Sequence, residues 1–250
     1  VKLLTCDHTP RAGLTLADSE YRARHFDICT AGSPEFLPQM RAINPALKMY
    51  GYLQPTRRVS WTNYILGEPS SGDVLADLTD AYIIALAAGC KEYVADFNLD
   101  GLFIDEPFIY AGGDWRRVTA LIAAIETAIA PKHCMVNFGD YGAWLSTFAE
   151  NPLASQLAWI AREHFAQVAV DTSKFQPREW LRVLDMATKR INGSRLVILG
   201  VYDPDRVNEE LAAALMISGH PSCVWHYHTA RPPLVDTPEQ QVNPLLEGLR

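Results

Sequence analysis

The stretch "DGLFIDEPFIY", Asp100 to Tyr110, runs an apolar strand pattern straight into two adjacent carboxylates and a proline. A buried strand ordinarily finishes in turn residues, because burying an unpaired charge is costly. Either Asp105 and Glu106 begin a solvated loop, or the strand is built to aim a carboxylate at something. Strand side chains alternate between faces, so Phe103 and Asp105 share one face while Leu102, Ile104 and Glu106 share the other. Pro107 restricts the residue before it to extended backbone, which sets Glu106 at the entrance of a loop.

Comparable β-type runs recur along the chain. Strands are predicted at Lys2–Cys6, Phe26–Thr30, Lys48–Leu53, Gly101–Asp105, Cys134–Phe138, Leu157–Ala161, Leu196–Val201 and Cys223–Tyr227. Helical patterns fall between them at Pro34–Ile43, Asp73–Phe97, Trp115–Ala130, Pro177–Ile191 and Asp205–Ser218, several closed by Gly, Asn-Gly or Pro. The serine- and proline-rich stretch from Arg57 to Gly72 reads as a long loop. Strands alternating with helices mark an α/β chain, and eight strands in 250 residues match a single (β/α)8 TIM barrel. The competing doubly wound sheet calls for a glycine-rich phosphate turn after its first strand. "DHTPRAG", Asp7 to Gly13, is not one. With no repeat and no linker-like segment, residues 1–250 read as one catalytic domain.

In such a barrel chemistry gathers at the C-terminal ends of the strands. Those ends carry Asp7 and His8, Tyr52 and Gln54, Asp105 and Glu106, Asn137 and Asp140, Arg162 to His164, Tyr202 and Asp203, and His226 to His228. That density of hydrogen-bonding groups suits a polyhydroxylated ligand. Parity puts Glu163 on the same face as Ala161, so Asp105 and Glu163 stand on next-but-one strands and point at a common centre. Two carboxyl groups so arranged suit glycoside hydrolysis, one protonating the leaving oxygen and the other attacking the anomeric carbon or activating water. The plainer alternative makes each a rim residue paired with an arginine such as Arg162.

The order "DGLFIDEPFIY", "MVNFGD", "LAWIAREHF" resembles the motif order of the endo-α-1,4-polygalactosaminidase family and related glycosyl-hydrolase-like barrels. The upstream "NPALKMYGYLQPT" is similar to their third strand, and the resemblance spans roughly residues 25 to 165. It implies a catalytic Asp at Asp105, a catalytic Glu at Glu163, and no cofactor. It further implies an α-linked, amino-sugar substrate and an extracellular or cell-surface setting. A retaining reaction, with Asp105 as nucleophile and Glu163 as general acid/base, is the expected form. Two departures stand out: Glu106 follows Asp105 where the family often has Asn, and the histidine-rich eighth strand has no counterpart. Substrate contacts are expected from Asp7, Tyr52, Glu106, Asn137, Tyr202, Trp225, His226 and His228.

Other readings stay open. "WHYH", Trp225 to His228, sets His226 and His228 on one face, and Asp7 on the adjacent first strand could complete a zinc site. That would make the protein a metal-dependent amide or ester hydrolase of deacetylase type. A catalytically silent carbohydrate-binding barrel is the third possibility. Trp61, Tyr64, Tyr110, Trp115, Tyr141 and Trp144 crowd the segments after strands three to five, where they either stack on sugar rings or anchor helices.

Bulk composition narrows the partners. Net charge is −7 with no basic run longer than a pair, which argues against nucleic acid because phosphate neutralisation needs clustered Lys and Arg. No apolar run approaches the ~20 residues of a membrane helix, so membrane insertion is not expected. No signal-peptide pattern opens the chain, and Val1 is not an initiator Met. The five cysteines show no zinc spacing, and Cys6, Cys29, Cys134 and Cys223, which fall within strands, read as small buried thiols. Oligomeric state has no signature in the sequence.

Overall fold

The structure, a computed structural model, describes residues 2–6, 15–31, 34–69, 74–105, 107–108, 115–137, 159–162, 167–168, 171–175, 195–199 and 224–228. Its first half alternates strand and helix: β1 (Lys2–Cys6), α1 (Leu16–His25), β2 (Ile28–Ala31), α2 (Leu37–Ile43) and β3 (Lys48–Leu53). Then come α3 (Ser60–Ile65), α4 (Asp80–Asp96), β4 (Gly101–Ile104), α5 (Trp115–Ile129) and β5 (His133–Asn137). Five further strands follow: β6 (Trp159–Arg162), β7 (Gln167–Val168), β8 (Asp171–Phe175), β9 (Arg195–Leu199) and β10 (Val224–His228). Eight of the ten strands pair in parallel, in the closed order β1-β10-β9-β6-β5-β4-β3-β2. The other two, β7 and β8, form a small antiparallel pair that the sequence pattern did not announce. The predicted helices Pro177–Ile191 and Asp205–Ser218 lie outside the described residues.

Caps explain where helices begin. At α1, Thr15 Oγ1 accepts from the Asp18 N–H at 3.2 Å while Asp18 Oδ2 accepts from the Thr15 N–H at 3.1 Å. This reciprocal capping box satisfies two backbone donors that the first turn would otherwise leave open. At α4, Thr79 Oγ1 accepts from the Tyr82 N–H at 3.2 Å, so the helix starts at Asp80 and not at the predicted Asp73. The residues before it are extended: the Arg58 N–H donates to the Val74 carbonyl and the Ala76 N–H to the Thr56 carbonyl. Leu75, predicted on the helix, bridges Arg57 and is 63% exposed. The predicted loop from Arg57 to Gly72 likewise contains the short helix α3.

The strands divide their side chains cleanly. Met49 and Leu53 of β3, Leu102 and Ile104 of β4, and Cys134 and Val136 of β5 pack in one apolar cluster with Leu86, Cys90 and Val94 of α4 and Leu121, Ile122 and Ile125 of α5. Gly51 completes that outward face, because a methyl group there would come within 2.5 Å of Tyr93 Cε1 and 2.9 Å of Leu99 Cδ1. Leu4, Tyr50, Tyr52, Phe103 and Met135 are also buried but stand apart from that cluster, on the opposite, interior face. Burial pushes the thiols of Cys90 and Cys134 well up, which keeps both as unreactive core groups. Among the described residues no helix is long and apolar enough to cross a membrane.

The base of β4 is tied by charge. Asp100 Oδ2 accepts from the Met49 N–H at 3.0 Å and from Arg41 at 3.2 Å, and its Oδ1 accepts from Lys48 Nζ at 3.0 Å. The contact joins α2, β3 and β4 at the end of the sheet away from the strands' C-termini.

Candidate active site

Asp105 stands directly after β4, and its N–H donates to the Leu53 carbonyl at 2.8 Å, carrying the β3–β4 ladder one residue beyond the strand. The register pairs Tyr52 with Phe103 and Phe103 with Met135, so these residues face the same way and Asp105 and Asn137 follow them by the strand period. The side chains meet as that parity requires. Tyr52 Oη donates to Asp105 Oδ2 at 2.5 Å, and Asn137 Nδ2 donates to Asp105 Oδ1 at 2.6 Å. Gln54 Nε2 stands 3.5 Å from Oδ2, a long and weaker contact.

Asp105 is 3% exposed, so its carboxylate has given up most of its water. Leaving such a group without donors would be costly. Donors on both oxygens offset that cost, each hydrogen bond to a charged group contributing about 1.5–3 kcal/mol. Both oxygens therefore act as acceptors. The Tyr52 ring is itself held, stacked on Phe103 with centroids 6.1 Å apart and planes 20° from parallel. Asn137 is fully buried at the end of β5.

The segment after β3 is pinned behind this cluster. Thr62 Oγ1 donates to the Gln54 carbonyl at 2.9 Å, and Tyr82 Oη donates to the Pro55 carbonyl at 2.7 Å. Burial pushes the Tyr82 phenol up against the opposing pull of Arg58, which suits its role as a donor. Arg58 Nε donates to Asn63 Oδ1 at 3.1 Å and closes the turn into α3.

Of the residues that sequence reasoning brought to the site, Asp105, Tyr52 and Asn137 are in direct contact. Tyr52 was expected to bind sugar; in the structure its hydroxyl is engaged with the carboxylate. Gln54 was noted as a strand-end residue but not chosen for the site, although its position after inward-facing Tyr52 was the available signal. Trp225, His226 and His228 lie in β10, paired in register with Leu3, Leu4 and Cys6 of β1, so the histidine strand does adjoin the first strand. Asp7, Glu106, Glu163 and Tyr202 fall outside the described residues. Sheet order sets β4 and β6 on either side of β5, and Asn137 pairs with Ala161, two residues before Glu163. Tyr64 is not beside Asp105: it packs edge-on against Tyr93 of α4 in the helix layer, with centroids 6.0 Å apart. Trp115 opens α5 and is 41% exposed.

No family model matches the chain, and no curated protein matches it by sequence. Solved structures do match. The glycoside hydrolase domain of PelA from Pseudomonas aeruginosa superimposes with a TM-score of 0.57 at 14% identity, covering 96% of this chain and 95% of that one. An endo-beta-N-acetylglucosaminidase from Cordyceps militaris matches with a TM-score of 0.57 at 11% identity, over 97% of this chain and 85% of its own. Aspergillus fumigatus Ega3, solved with galactosamine, matches with a TM-score of 0.54 at 10% identity, over 90% and 89%. At these identities the likeness is one of fold. The parallel α/β sheet that carries Asp105 belongs to a glycoside-hydrolase-like fold.

Proposed function

We propose that this protein is a glycoside hydrolase, built as a single (β/α)8 barrel over residues 1–250, that cleaves an α-linked amino-sugar glycan with two carboxyl groups and no cofactor. The observation that carries the reading is Asp105. A carboxylate that is almost fully buried at the C-terminal end of a strand, and held on both oxygens by Tyr52 and Asn137, is positioned at the edge where barrel enzymes do their chemistry. The second carboxyl group is Glu163, assigned by counting two residues on from Ala161, the register partner of Asn137. The shared fold with glycoside hydrolases supports the reaction class. The amino-sugar reading draws support from the resemblance to polygalactosaminidases and from the hexosamine chemistry named for two of the neighbours.

In the mechanism assigned here, Asp105 attacks the anomeric carbon while Glu163 protonates the departing glycosidic oxygen. A water molecule then hydrolyses the glycosyl ester, with Glu163 taking its proton. Retention needs carboxyl groups ~5–5.5 Å apart, and inversion ~6.5–9.5 Å. Next-but-one strands such as β4 and β6 are ~9–10 Å apart at the backbone, from a spacing of ~4.7–4.9 Å between neighbours. An Asp and a longer Glu leaning inward from them can close to the shorter distance.

The test is turnover on a glycan panel that includes α-1,4-linked polygalactosamine, its N-acetylated form and chitin oligosaccharides. Release of reducing ends from the α-linked chains, with retained anomeric configuration in the first product by proton NMR, is the expected result. Cleavage of the β-linked members alone would replace the substrate, and an inverted first product would turn Asp105 into an acid or base acting through water. The metal-dependent alternative predicts loss of activity on treatment with a chelator, which a two-carboxylate hydrolase does not share.

A further inference from the structure

We infer that Tyr52 is a positioning residue that makes Asp105 a good leaving group, so that it speeds the second half of the reaction and restrains the first. The inference rests on the retaining reading above. Its physical basis is a hydroxyl fixed against one of the two carboxylate oxygens. Oδ2 takes the Tyr52 hydroxyl at 2.5 Å with Gln54 behind it at 3.5 Å, whereas Oδ1 takes Asn137 at 2.6 Å. The hydroxyl cannot drift away with the carboxylate, because its ring is stacked on Phe103 and its backbone is paired with the same residue.

Charge on Asp105 changes twice during a retaining turnover. In the first step a carboxylate oxygen bonds to the anomeric carbon as the glycosidic C–O bond breaks and Glu163 gives its proton to the leaving oxygen. Asp105 is then a neutral ester. In the second step water adds to the anomeric carbon and yields a proton to Glu163. The C–O bond to Asp105 breaks, and its electron pair returns to the carboxylate. A fixed donor bonds the anion more strongly than the ester. Tyr52 thus stabilises Asp105 before attack and again as it departs. It holds back ester formation and helps ester hydrolysis, preventing the enzyme from stalling as a glycosyl adduct.

Tyr52→Phe isolates this effect, since it keeps the ring on Phe103 and removes only the hydroxyl. The probe is an α-1,4-galactosamine trisaccharide carrying a 4-nitrophenyl group at its reducing end, followed by stopped-flow absorbance. In the variant, nitrophenolate should appear as a burst approaching one equivalent per site. kcat should fall roughly 10- to 100-fold, the effect of one hydrogen bond to a charged group. KM should fall by a larger factor, so that kcat/KM, which reports ester formation, rises above wild type. Mass spectrometry of the quenched burst should find the trisaccharide's glycosyl group on Asp105. A burst-free variant whose kcat and kcat/KM fall together would overturn the role of Tyr52 while leaving the retaining reading in place. Inversion at the anomeric carbon in the wild type would remove the ester and overturn both.

Discussion

Two carboxylates bracket β4, and they are held in opposite ways. Asp100, at the start, is partly exposed and accepts from Lys48, Arg41 and the Met49 N–H. Asp105, at the end, is almost fully buried and is held by Tyr52, Asn137 and Gln54, none of which carries a charge. They stand five residues apart, one on either side of the strand. Cations at the base of the sheet neutralise a charge and fasten α2, β3 and β4 together, which serves stability. Uncharged donors at the other end, the Tyr52 hydroxyl and the Asn137 amide, fix the orientation of the Asp105 carboxyl group.

The largest expected effect is at the reactive end. Asp105→Asn should lower glycan hydrolysis by at least ~10²–10⁴-fold, the usual cost of losing a positioned acid, base or nucleophile. Its thermal melting should remain close to wild type. Glu163→Gln should fall by a similar factor. If Asp105→Asn stayed active while Glu106→Gln lost turnover, the strand parity used to choose between these neighbours would be wrong.

Between the two carboxylates lies Leu102, fully buried against the helices. Leu102→Ala should destabilise the fold by about 2–5 kcal/mol through lost burial and a residual cavity. Activity per folded molecule should be near normal, measured after chemical denaturation has fixed the folded fraction. An equal loss of specific activity would mean that the two faces of β4 are not independent.

Asn137→Ala sharpens the claim about uncharged donors. Removing the partner of Oδ1 should reduce kcat by roughly 10- to 100-fold, in line with one hydrogen bond to a charged group. Asn137→Asp should be worse, because it sets a second carboxylate against Asp105. An Asp variant that outperforms the Ala variant would show that Asn137 does something other than donate.

The smallest effect is at the base. Burial of Asp100 works to raise its pKa, but the Met49 N–H, Lys48 and Arg41 together outweigh it and hold the group below its ordinary 3.8. A carboxylate with a depressed folded pKa contributes stability that is fully present above the unfolded value and is lost as pH falls through the folded one. Asp100→Asn should therefore lower the melting temperature at pH 7 by an amount equivalent to about 1 kcal/mol, partial exposure screening the pair. The gap between variant and wild type should close below pH 3.8. Turnover should be unchanged, and a gap that widened in acid would mean that Asp100 is not ionised by its partners.

Much of this contrast was legible in the sequence, for physical reasons. The period of two in "GLFID" sorted Leu102 and Ile104 from Phe103 and Asp105 before any coordinates, because only one of the two faces could be wholly apolar. Sheet order followed from strand succession, which sets β5 between β4 and β6. Helix starts were harder. The pattern from Leu75 onward looks helical, yet Thr79 caps the helix and backbone bonding of Val74 and Ala76 to the Arg58 and Thr56 segment keeps the preceding residues extended. Helix α3 was hidden in a stretch rich in turn formers, and α1 was not predicted at all, its available signal being the capping pair Thr15 and Asp18. At the site, sequence reasoning set Tyr52 at a strand end as a substrate contact but did not foresee its bond to Asp105. Periodicity tells which face a side chain takes, whereas the length of a tyrosine reaching across to Asp105 is a tertiary fact.

We propose that the carboxylate just after β4, and not the one just before it, performs hydrolysis. Reducing-end release from α-1,4-linked polygalactosamine by Asp105→Asn and Asp100→Asn, assayed together at equal folded concentration, tests it most directly. Asp100→Asn should cleave at the wild-type rate while Asp105→Asn loses at least ~10²-fold. Wild-type turnover by Asp105→Asn would contradict it.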